Sequence, residues 1–149
     1  MDKISWPAYA LHLAYTASRR SSDPYIKVGA AILRHDNSVA SLGYNGPPSG
    51  REIDWSDRDE RRKRIIHAEC NALRYVKPGE CYLLATTLSP CGDCVKQVAA
   101  YGIKEIYYNQ LYKNDMFGIE LAKEFGINVV QIEDACILDV YAPIVDDYI

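Results

Sequence analysis

The stretch CYLLATTLSPCGDC (residues 81–94) decides the fold, because it joins an apolar strand directly to the start of a helix. Residues 81–87 are mostly apolar or β-branched, a composition typical of a buried strand. Ser89 and Pro90 then predict a helix start, with Ser89 as the N-cap and Pro90 at the first helical position. Strands that are connected through helices pair in parallel, so this stretch predicts a βαβ unit.

The rest of the chain extends this unit in both directions. Downstream, hydrophobic periodicity predicts a strand over 103–108, a helix over 117–125 closed by Gly126, and a strand over 127–132. Upstream, it predicts a helix over 6–20, a break at Asp23-Pro24, and a β-hairpin formed by 25–33 and 38–44. The mixed-charge run 57–64 is typical of the solvated face of a helix, and it leads into a helix that carries the His67 motif and ends near residues 77–79. We therefore expect one domain over residues 1–149, a three-layer α/β/α sandwich around a five-stranded mixed sheet.

Two short motifs carry side chains suited to a metal ion. His67 supplies an imidazole, and Cys91 and Cys94 supply two sulfurs that lie on one helical turn. A catalytic zinc site has three protein ligands and keeps a position for water, whereas a structural site has four. Because Glu69 lies only two residues after His67, we expect both in the first turn of a helix that meets the cysteine helix. Glu69 would then face the open side of the metal.

A structural zinc site is the alternative. Its fourth ligand would come from His12, His35 or one of the remaining cysteines. Against it, a histidine in a hairpin turn or on an amphipathic helix is usually solvated or hydrogen-bonded, and a structural zinc ion has no use for Glu69.

Composition limits the classes of partner. The formal net charge is −3, which argues against broad nucleic-acid binding, since that needs a basic surface. No apolar run approaches the roughly 20 residues of a membrane span, and the N-terminal residues lack the apolar segment of a signal peptide. Cys70, Cys81 and Cys136 are expected as free thiols. These features predict a cytoplasmic protein, or one of the host cytoplasm if the chain is viral.

At these motifs the chain resembles the zinc-dependent cytidine deaminase superfamily, in which a His/Cys/Cys site activates water and a glutamate that is not a ligand moves protons. It is most similar to the compact bacterial and phage deoxycytidylate (dCMP) deaminases. The resemblance runs from about residue 17 to 132 and includes DPYIKVGA (23–30), GYNGPPSG (43–50), HAECNAL (67–73) and TLSPC (87–91).

The resemblance implies hydrolysis of dCMP to dUMP and ammonia at one zinc ion per chain, with Glu69 as the proton shuttle. It implies that Asn45 holds the sugar hydroxyl, that the Ala68 N–H meets the base O2, that the Ser89 carbonyl meets the exocyclic amine, and that Tyr112 stacks on the ring. Lys27 is the candidate for the 5′-phosphate.

The resemblance also implies regulation in a hexamer, with dCTP as activator and dTTP as inhibitor, each bound with Mg²⁺. The effector site would lie in the glycine-rich loop, at Gly43, Tyr44, Asn45, Gly46, Pro48 and Gly50. Basic residues of 58–64 could help to hold the triphosphates. Many relatives have a cysteine for a second zinc ion just after this loop; here the position is Arg51, so we expect no second zinc ion.

Three rival functions remain open at this stage. A tRNA adenosine deaminase or a deaminase of free cytosine or guanine shares the zinc motif, although a tRNA editor should have a basic flank. A zinc-stabilised interaction module without catalysis is the third, and the presence of Glu69 argues against it.

Overall fold

The computed structural model describes residues 3–133, and Cys136 lies outside this range. Its helices and strands follow the predicted order, and their bounds are α1 Trp6–Ser18, β1 Gly29–Arg34, β2 Val39–Tyr44, α2 Arg58–Arg62, α3 Ala68–Leu73, β3 Cys81–Leu88, α4 Gly92–Ala100, β4 Glu105–Gln110, α5 Phe117–Glu124 and β5 Asn128–Gln131. Among these helices, none has the length and apolar character needed to cross a bilayer.

The five strands form one mixed sheet in the order β2-β1-β3-β4-β5. β1 pairs antiparallel with β2 and with β3, while β3, β4 and β5 pair in parallel. The parallel half is the βαβ unit predicted from residues 81–94 and its continuation. The predicted mixed sheet is therefore confirmed.

Helices cover both faces of the sheet. On one face, Leu11 and Ala14 of α1 pack with buried residues of β1 and β3. On the other face, residues of α3, α4 and α5 share the larger core cluster with Ile32 and Leu84. Gly29 at the start of β1 allows the close approach of α1, because a Cβ there would lie 1.8 Å from the carbonyl oxygen of Ala14. The three-layer arrangement is confirmed.

The first strand begins later than predicted, at Gly29 instead of residue 25. Asp23 Oδ1 accepts hydrogen bonds from the N–H groups of Tyr25 (2.8 Å) and Ile26 (3.2 Å). Asn45 Oδ1 accepts one from the N–H of Val28 (2.9 Å). These side-chain bonds take the donors that a strand would use in its ladder, and they make residues 23–28 an ordered loop.

The charged run 57–64 and the His67 motif lie on two separate short helices, and the second helix ends at Leu73 instead of near residue 77. The structure has two short helices, α2 and α3, and between them Ile66 pairs with Gly46 through two backbone hydrogen bonds of 3.1 and 2.7 Å. Backbone groups engaged in this bridge cannot continue a helix. The chain therefore restarts at Ala68, with His67 in extended conformation as the N-cap residue.

The predicted start of the cysteine helix is two residues too early. Cys91 is the N-cap residue of α4, and its sulfur accepts the N–H of Cys94 at 3.5 Å. Ser89 instead joins the end of the sheet, where its N–H donates to the carbonyl of Gln110 at 2.8 Å. Its hydroxyl accepts the N–H of Tyr112 at 2.7 Å.

Candidate active site

Two helix N-termini bring the three proposed metal ligands together. His67 begins α3, Cys91 begins α4, and Cys94 lies in the first turn of α4. His67 Nδ1 is 3.2 Å from Cys94 Sγ and 3.4 Å from Cys91 Sγ, and the three ligand atoms lie within 4.8 Å of one another. A tetrahedral zinc ion with Zn–S of about 2.3 Å and Zn–N of about 2.0 Å separates such ligands by roughly 3.5 Å. The donor set and its spacing fit zinc.

In the absence of a metal ion, His67, Cys91 and Cys94 are held together by hydrogen bonds that shift their pKa values. Hydrogen bonds with Cys94 and His67, against the opposing effect of burial, lower the pKa of Cys91 to about 4. The hydrogen bond with Cys91, helped by the charge of Glu69, raises the pKa of His67 to about 9. Hydrogen bonds to Cys70 and Cys91 raise the pKa of Cys94. Zinc binding requires neutral imidazole and thiolates, so it displaces these protons.

The fourth ligand that a structural zinc site requires does not join this group in the part of the chain that the structure describes. His12 lies on α1, on the opposite face of the sheet from α3 and α4. His35 Nε2 is 3.0 Å from the carbonyl oxygen of Gly79. Cys70 Sγ approaches Cys94 Sγ to 3.9 Å but does not join the group of three. The geometry favours an open, three-ligand site.

Glu69 lies beside these ligands, in the first turn of α3 as expected, and only 4% of it is exposed. Its Oε1 accepts a hydrogen bond of 2.8 Å from the hydroxyl of Thr86, which lies on β3. The sequence reasoning missed Thr86. The sequence could have indicated it, because Thr86 is a polar residue within an apolar strand, and a buried hydroxyl there needs a hydrogen-bond partner.

A cavity of about 320 Å³ adjoins two of the three ligands. Its lining includes His67 and Cys91, Glu69, and four of the five residues expected to contact substrate, namely Asn45, Ala68, Ser89 and Tyr112. These residues come from the start of α3 and from the segments that directly follow β2, β3 and β4. The tertiary fold thus collects residues that are far apart in the sequence around one cavity.

Asn45 has a structural role at this cavity that the sequence did not indicate. Its Oδ1 accepts the N–H of Val28 (2.9 Å), and its Nδ2 donates to the carbonyl of Ile26 (3.1 Å) and lies 3.4 Å from Asp23 Oδ2. Only 3% of the residue is exposed. Asn45 therefore fixes the loop 23–28 along one wall, and any contact with a sugar hydroxyl adds to these bonds.

Lys27 is placed outside the cavity, contrary to its expected role. Its Nζ donates to the carbonyl oxygens of Ser21 (2.5 Å) and Asp23 (3.0 Å), which hold the ammonium against the loop backbone. The basic side chains that line the cavity are instead Arg61 and Arg62. The sequence indicated 58–64 only as a charged run, because its composition does not show which of its basic residues line a cavity.

Arg61 and Arg62 differ in their surroundings. Arg61 is 9% exposed, stacks its guanidinium 4.1 Å over the ring of Tyr25, and donates to the carbonyl of Trp55 at 3.4 Å. Arg62 is exposed, and its Nη2 lies 3.4 Å from the hydroxyl of Tyr112. Arg62 is therefore the more adaptable cation at the cavity.

The glycine-rich loop 43–50 divides into a buried and an exposed part. A Cβ at Gly43 would lie 2.5 Å from the Ala68 carbonyl oxygen and 2.5 Å from the Ala72 nitrogen, so this glycine allows α3 to pack on β2. Gly46 is buried in the bridge to Ile66. Pro48 and Gly50 are exposed, and Gly50 has a φ of 78°. The 39% exposed Tyr44 ends β2.

Comparisons with known proteins agree with this geometry. Residues 4–110 match the family model "Cytidine and deoxycytidylate deaminase zinc-binding region". The chain is 34% identical to ComE operon protein 2 of Bacillus subtilis, over 93% of this chain and 78% of that protein. It is 33% identical to the human deoxycytidylate deaminase over 72% of this chain, and it spans about two thirds (66%) of that protein's length.

A solved structure shares the whole architecture. It is the dCMP deaminase of the cyanophage S-TIM5 in complex with dCMP and dUMP. The match has a TM-score of 0.76 at 28% identity and covers 89% of this chain and 100% of that one.

Proposed function

Since the chain belongs to the family of zinc-binding cytidine and deoxycytidylate deaminases, we propose that it hydrolyses dCMP to dUMP and ammonia. The observation that carries the proposal is the nearly buried Glu69 beside the His67, Cys91 and Cys94 group, at the base of a cavity large enough for a nucleotide base. The relatives named for deoxycytidylate deaminase, and the phage enzyme with dCMP and dUMP, support the choice of substrate.

His67 Nδ1 and the sulfurs of Cys91 and Cys94 would hold one zinc ion. When bound, zinc lowers the pKa of a coordinated water to near ~7 and so supplies a nucleophile at neutral pH. The chain's contribution is a set of three ligands fixed by two helix starts, which leaves one coordination position open. Cys94 is buried, at 1% exposure, whereas His67 and Cys91 line the cavity.

Glu69 would carry the protons of the reaction. Its carboxylate accepts a proton from the attacking water and delivers it to N3 of the cytosine ring, as the new oxygen bond forms at C4. It then assists transfer of the remaining water proton to the amino group, which leaves as ammonia while C4 becomes a carbonyl. The position of Glu69 in the first turn of α3, two residues after His67, supports this role.

Four cavity residues would orient the base and sugar. The Ala68 N–H, which begins a helix and has no acceptor within it, would meet the base O2. The Ser89 carbonyl would accept the exocyclic amine, and the ring of Tyr112 would stack on the base. Asn45 would meet the sugar hydroxyl in addition to holding the loop 23–28.

We assign the 5′-phosphate to Arg62, with Arg61 behind it, in place of Lys27. Both arginines line the cavity. Arg62 is exposed and adjoins the hydroxyl of Tyr112, so it can reach a phosphate on the sugar of a base that stacks there. A guanidinium also suits bidentate contact with phosphate oxygens.

Regulation by dCTP and dTTP with Mg²⁺, in a cytoplasmic hexamer that serves nucleotide biosynthesis, is a further part of the proposal. The exposed turn 47–50 and the exposed ring of Tyr44 support it, because phosphates could approach the backbone at Gly50 and a second base could stack on Tyr44. The buried Gly43 and Gly46 would act only by holding the loop in place.

An ammonia-release assay tests the proposal. Purified zinc-loaded protein is offered dCMP, deoxycytidine, cytosine, adenosine in a tRNA anticodon stem, and guanine. We expect turnover of dCMP, with kcat/KM at least ~10-fold above that for deoxycytidine, because the phosphate adds charged hydrogen bonds. Preference for the tRNA or for a free base would replace dCMP as substrate. Absence of turnover with all five would favour the non-catalytic zinc module.

A further inference from the structure

Thr86 places a hydroxyl in the middle of an otherwise apolar core. It is fully buried on β3, where its neighbours across the sheet are Ala30 of β1 and Tyr108 of β4. It shares a face of the strand with Leu84 and Leu88, which pack in the cluster that includes α3. Valine has the same shape and would fill this position without the cost of burying a hydroxyl. A polar group here therefore needs another reason.

The hydroxyl contacts two acceptors. Thr86 Oγ1 lies 2.8 Å from Glu69 Oε1 and 2.9 Å from the carbonyl oxygen of Leu88. A hydroxyl has one proton to donate and can also accept. Both distances are those of well-formed O–H···O bonds, so the single proton of Thr86 has two alternative acceptors.

We propose that Thr86 is a positioning residue for the proton shuttle: it anchors one oxygen of Glu69, so that the other oxygen is held toward the cavity and the substrate. The proposal rests on the role given above to Glu69. The anchor is rigid because β3 is the central strand of the sheet, paired with β1 on one side and β4 on the other.

The second acceptor ties the hydroxyl to the backbone of the sheet. Thr86 Oγ1 lies between Glu69 Oε1 and the carbonyl oxygen of Leu88, the last residue of β3. The side chain that contacts Glu69 is therefore itself fixed by its own strand.

The neighbouring residue provides a matched control. Thr87 is also fully buried, but it points to the opposite face of the sheet, where its hydroxyl accepts the N–H of Gly29 at 3.2 Å. Thr87→Val removes the same atom from the next position and breaks a buried hydrogen bond without touching Glu69. A purely structural effect of losing a buried hydroxyl should therefore appear in both variants.

The experiment compares Thr86→Val, Thr86→Ser, Thr86→Ala and Thr87→Val as zinc-loaded proteins. For Thr86→Val we expect unchanged zinc content, a KM within about twofold of wild type, and a kcat lowered about 10- to 100-fold, the value of one hydrogen bond to a charged group. Thr86→Ser should restore kcat to within about threefold, since it keeps the hydroxyl. Thr87→Val should keep kcat within about twofold.

Thr86→Ala covers the case in which Thr86→Val fails to fold, and its kcat should fall by the same range. A loss below threefold in kcat, equal losses in Thr86→Val and Thr87→Val, or failure of Thr86→Ser to recover would each overturn the inference. If the wild type deaminates a different compound, the proposed substrate fails and the same series is measured on that compound.

A readout independent of turnover separates this inference from the proposed function. In crystal structures of the zinc-loaded variants, we expect the carboxyl of Glu69 to rotate in Thr86→Val and to keep its direction in Thr86→Ser. An unchanged carboxyl in Thr86→Val overturns the positioning role, even if the protein has no deaminase activity at all.

Discussion

At the scale of single residues, the candidate site depends on buried polar side chains, each of which makes a few short contacts. Glu69 is 4% exposed and Asn45 is 3% exposed, and both hydrogen-bond to neighbours that belong to other segments of the chain. Removing one such group leaves its partner unsatisfied in a place that water reaches poorly. Substitutions that keep the shape of the side chain are therefore needed to measure its role in the chemistry apart from its role in folding.

Glu69→Gln should abolish turnover while keeping the protein loaded with zinc. The amide has nearly the shape of the carboxyl but cannot accept and return a proton, and general acid–base help is worth roughly 10²–10⁴-fold. Because Glu69 serves more than one transfer, we expect kcat to fall by at least about 10³-fold. Steady-state assays and metal analysis measure the two quantities, and Glu120→Gln, on the exposed start of α5, is the control. A tenth of wild-type kcat would contradict the role.

Arg62→Ala should weaken recognition of the phosphate and little else. We expect kcat/KM for dCMP to fall by about 10- to 100-fold, as for the loss of charged hydrogen bonds, and that for deoxycytidine to stay within about threefold. Lys63→Ala is the matched control, because Lys63 is exposed and pairs with Glu60 instead of lining the cavity. Equal losses on both substrates would assign Arg62 to the shape of the site instead of to the phosphate.

At the scale of secondary-structure elements, the position of α3 decides where His67 and Glu69 lie. This short helix packs on β2 through Gly43, and the bridge between Gly46 and Ile66 sets the residue at which it begins. The side chain of Asn71 adds a hydrogen bond of 2.8 Å to the carbonyl of Tyr44. The contacts between α3 and β2 therefore fix the position of the helix that carries His67 and Glu69.

Gly43→Ala should lower both stability and activity. The added methyl group meets backbone atoms of α3 at 2.5 Å, so α3 must move, and overpacking of this kind costs about 1–3 kcal/mol. Denaturant unfolding measures the free energy of unfolding, and kcat reports the displacement of Glu69. Gly46→Ala is the control, since a Cβ there meets no atom within 4 Å and should cost less than about 0.5 kcal/mol. Equal effects of the two substitutions would contradict the packing argument.

At the scale of the whole molecule, the metal ion would connect α3 to α4 through one bond to the first and two to the second. These helices share the core on one face of the sheet, so the ion would add a cross-link between parts that already pack together. A metal that binds only the folded state raises the free energy of unfolding by mass action. Metal content and stability should therefore change together.

Removal of zinc should lower the unfolding temperature as well as abolish activity. At free zinc ~1,000 times above the dissociation constant, the stabilisation is about 4 kcal/mol, or roughly 10 °C for a chain of this size. Calorimetry before and after chelation, and again after readdition, measures the effect. Elemental analysis should give about one zinc ion per protomer. Two would contradict the argument from Arg51, and none would contradict the proposed metal site.

Regulation is the prediction that belongs to the assembled protein. With a coupling free energy of ~1–3 kcal/mol, dCTP should lower and dTTP should raise the half-saturating dCMP concentration by about 5- to 150-fold in the presence of Mg²⁺. Sedimentation should find six protomers. Tyr44→Ala should flatten both responses at unchanged zinc content. Superimposed dCMP curves with and without the triphosphates would remove the regulatory proposal and leave the deaminase proposal standing.

The sequence by itself determined the order of the elements, the mixed sheet, and the metal ligands with Glu69. Each follows from local information: alternation of apolar residues indicates strands, helical spacing indicates helices, and the Cys91 to Cys94 interval places two sulfurs on one turn. Such patterns depend on residues within a few positions of one another, so a single sequence is sufficient to recognise them.

Only the tertiary structure decided which distant groups meet. The bond from Thr86 to Glu69 spans 17 positions and that from Asn45 to Val28 also spans 17, while the bridge from Gly46 to Ile66 joins the glycine-rich loop to the segment between α2 and α3. Arg61 and Arg62 line the cavity, whereas Lys27 does not and instead donates to the carbonyls of Ser21 and Asp23. Such contacts join residues that are distant in the sequence, so they depend on how the helices and strands pack together. The spacing of neighbouring residues does not determine them.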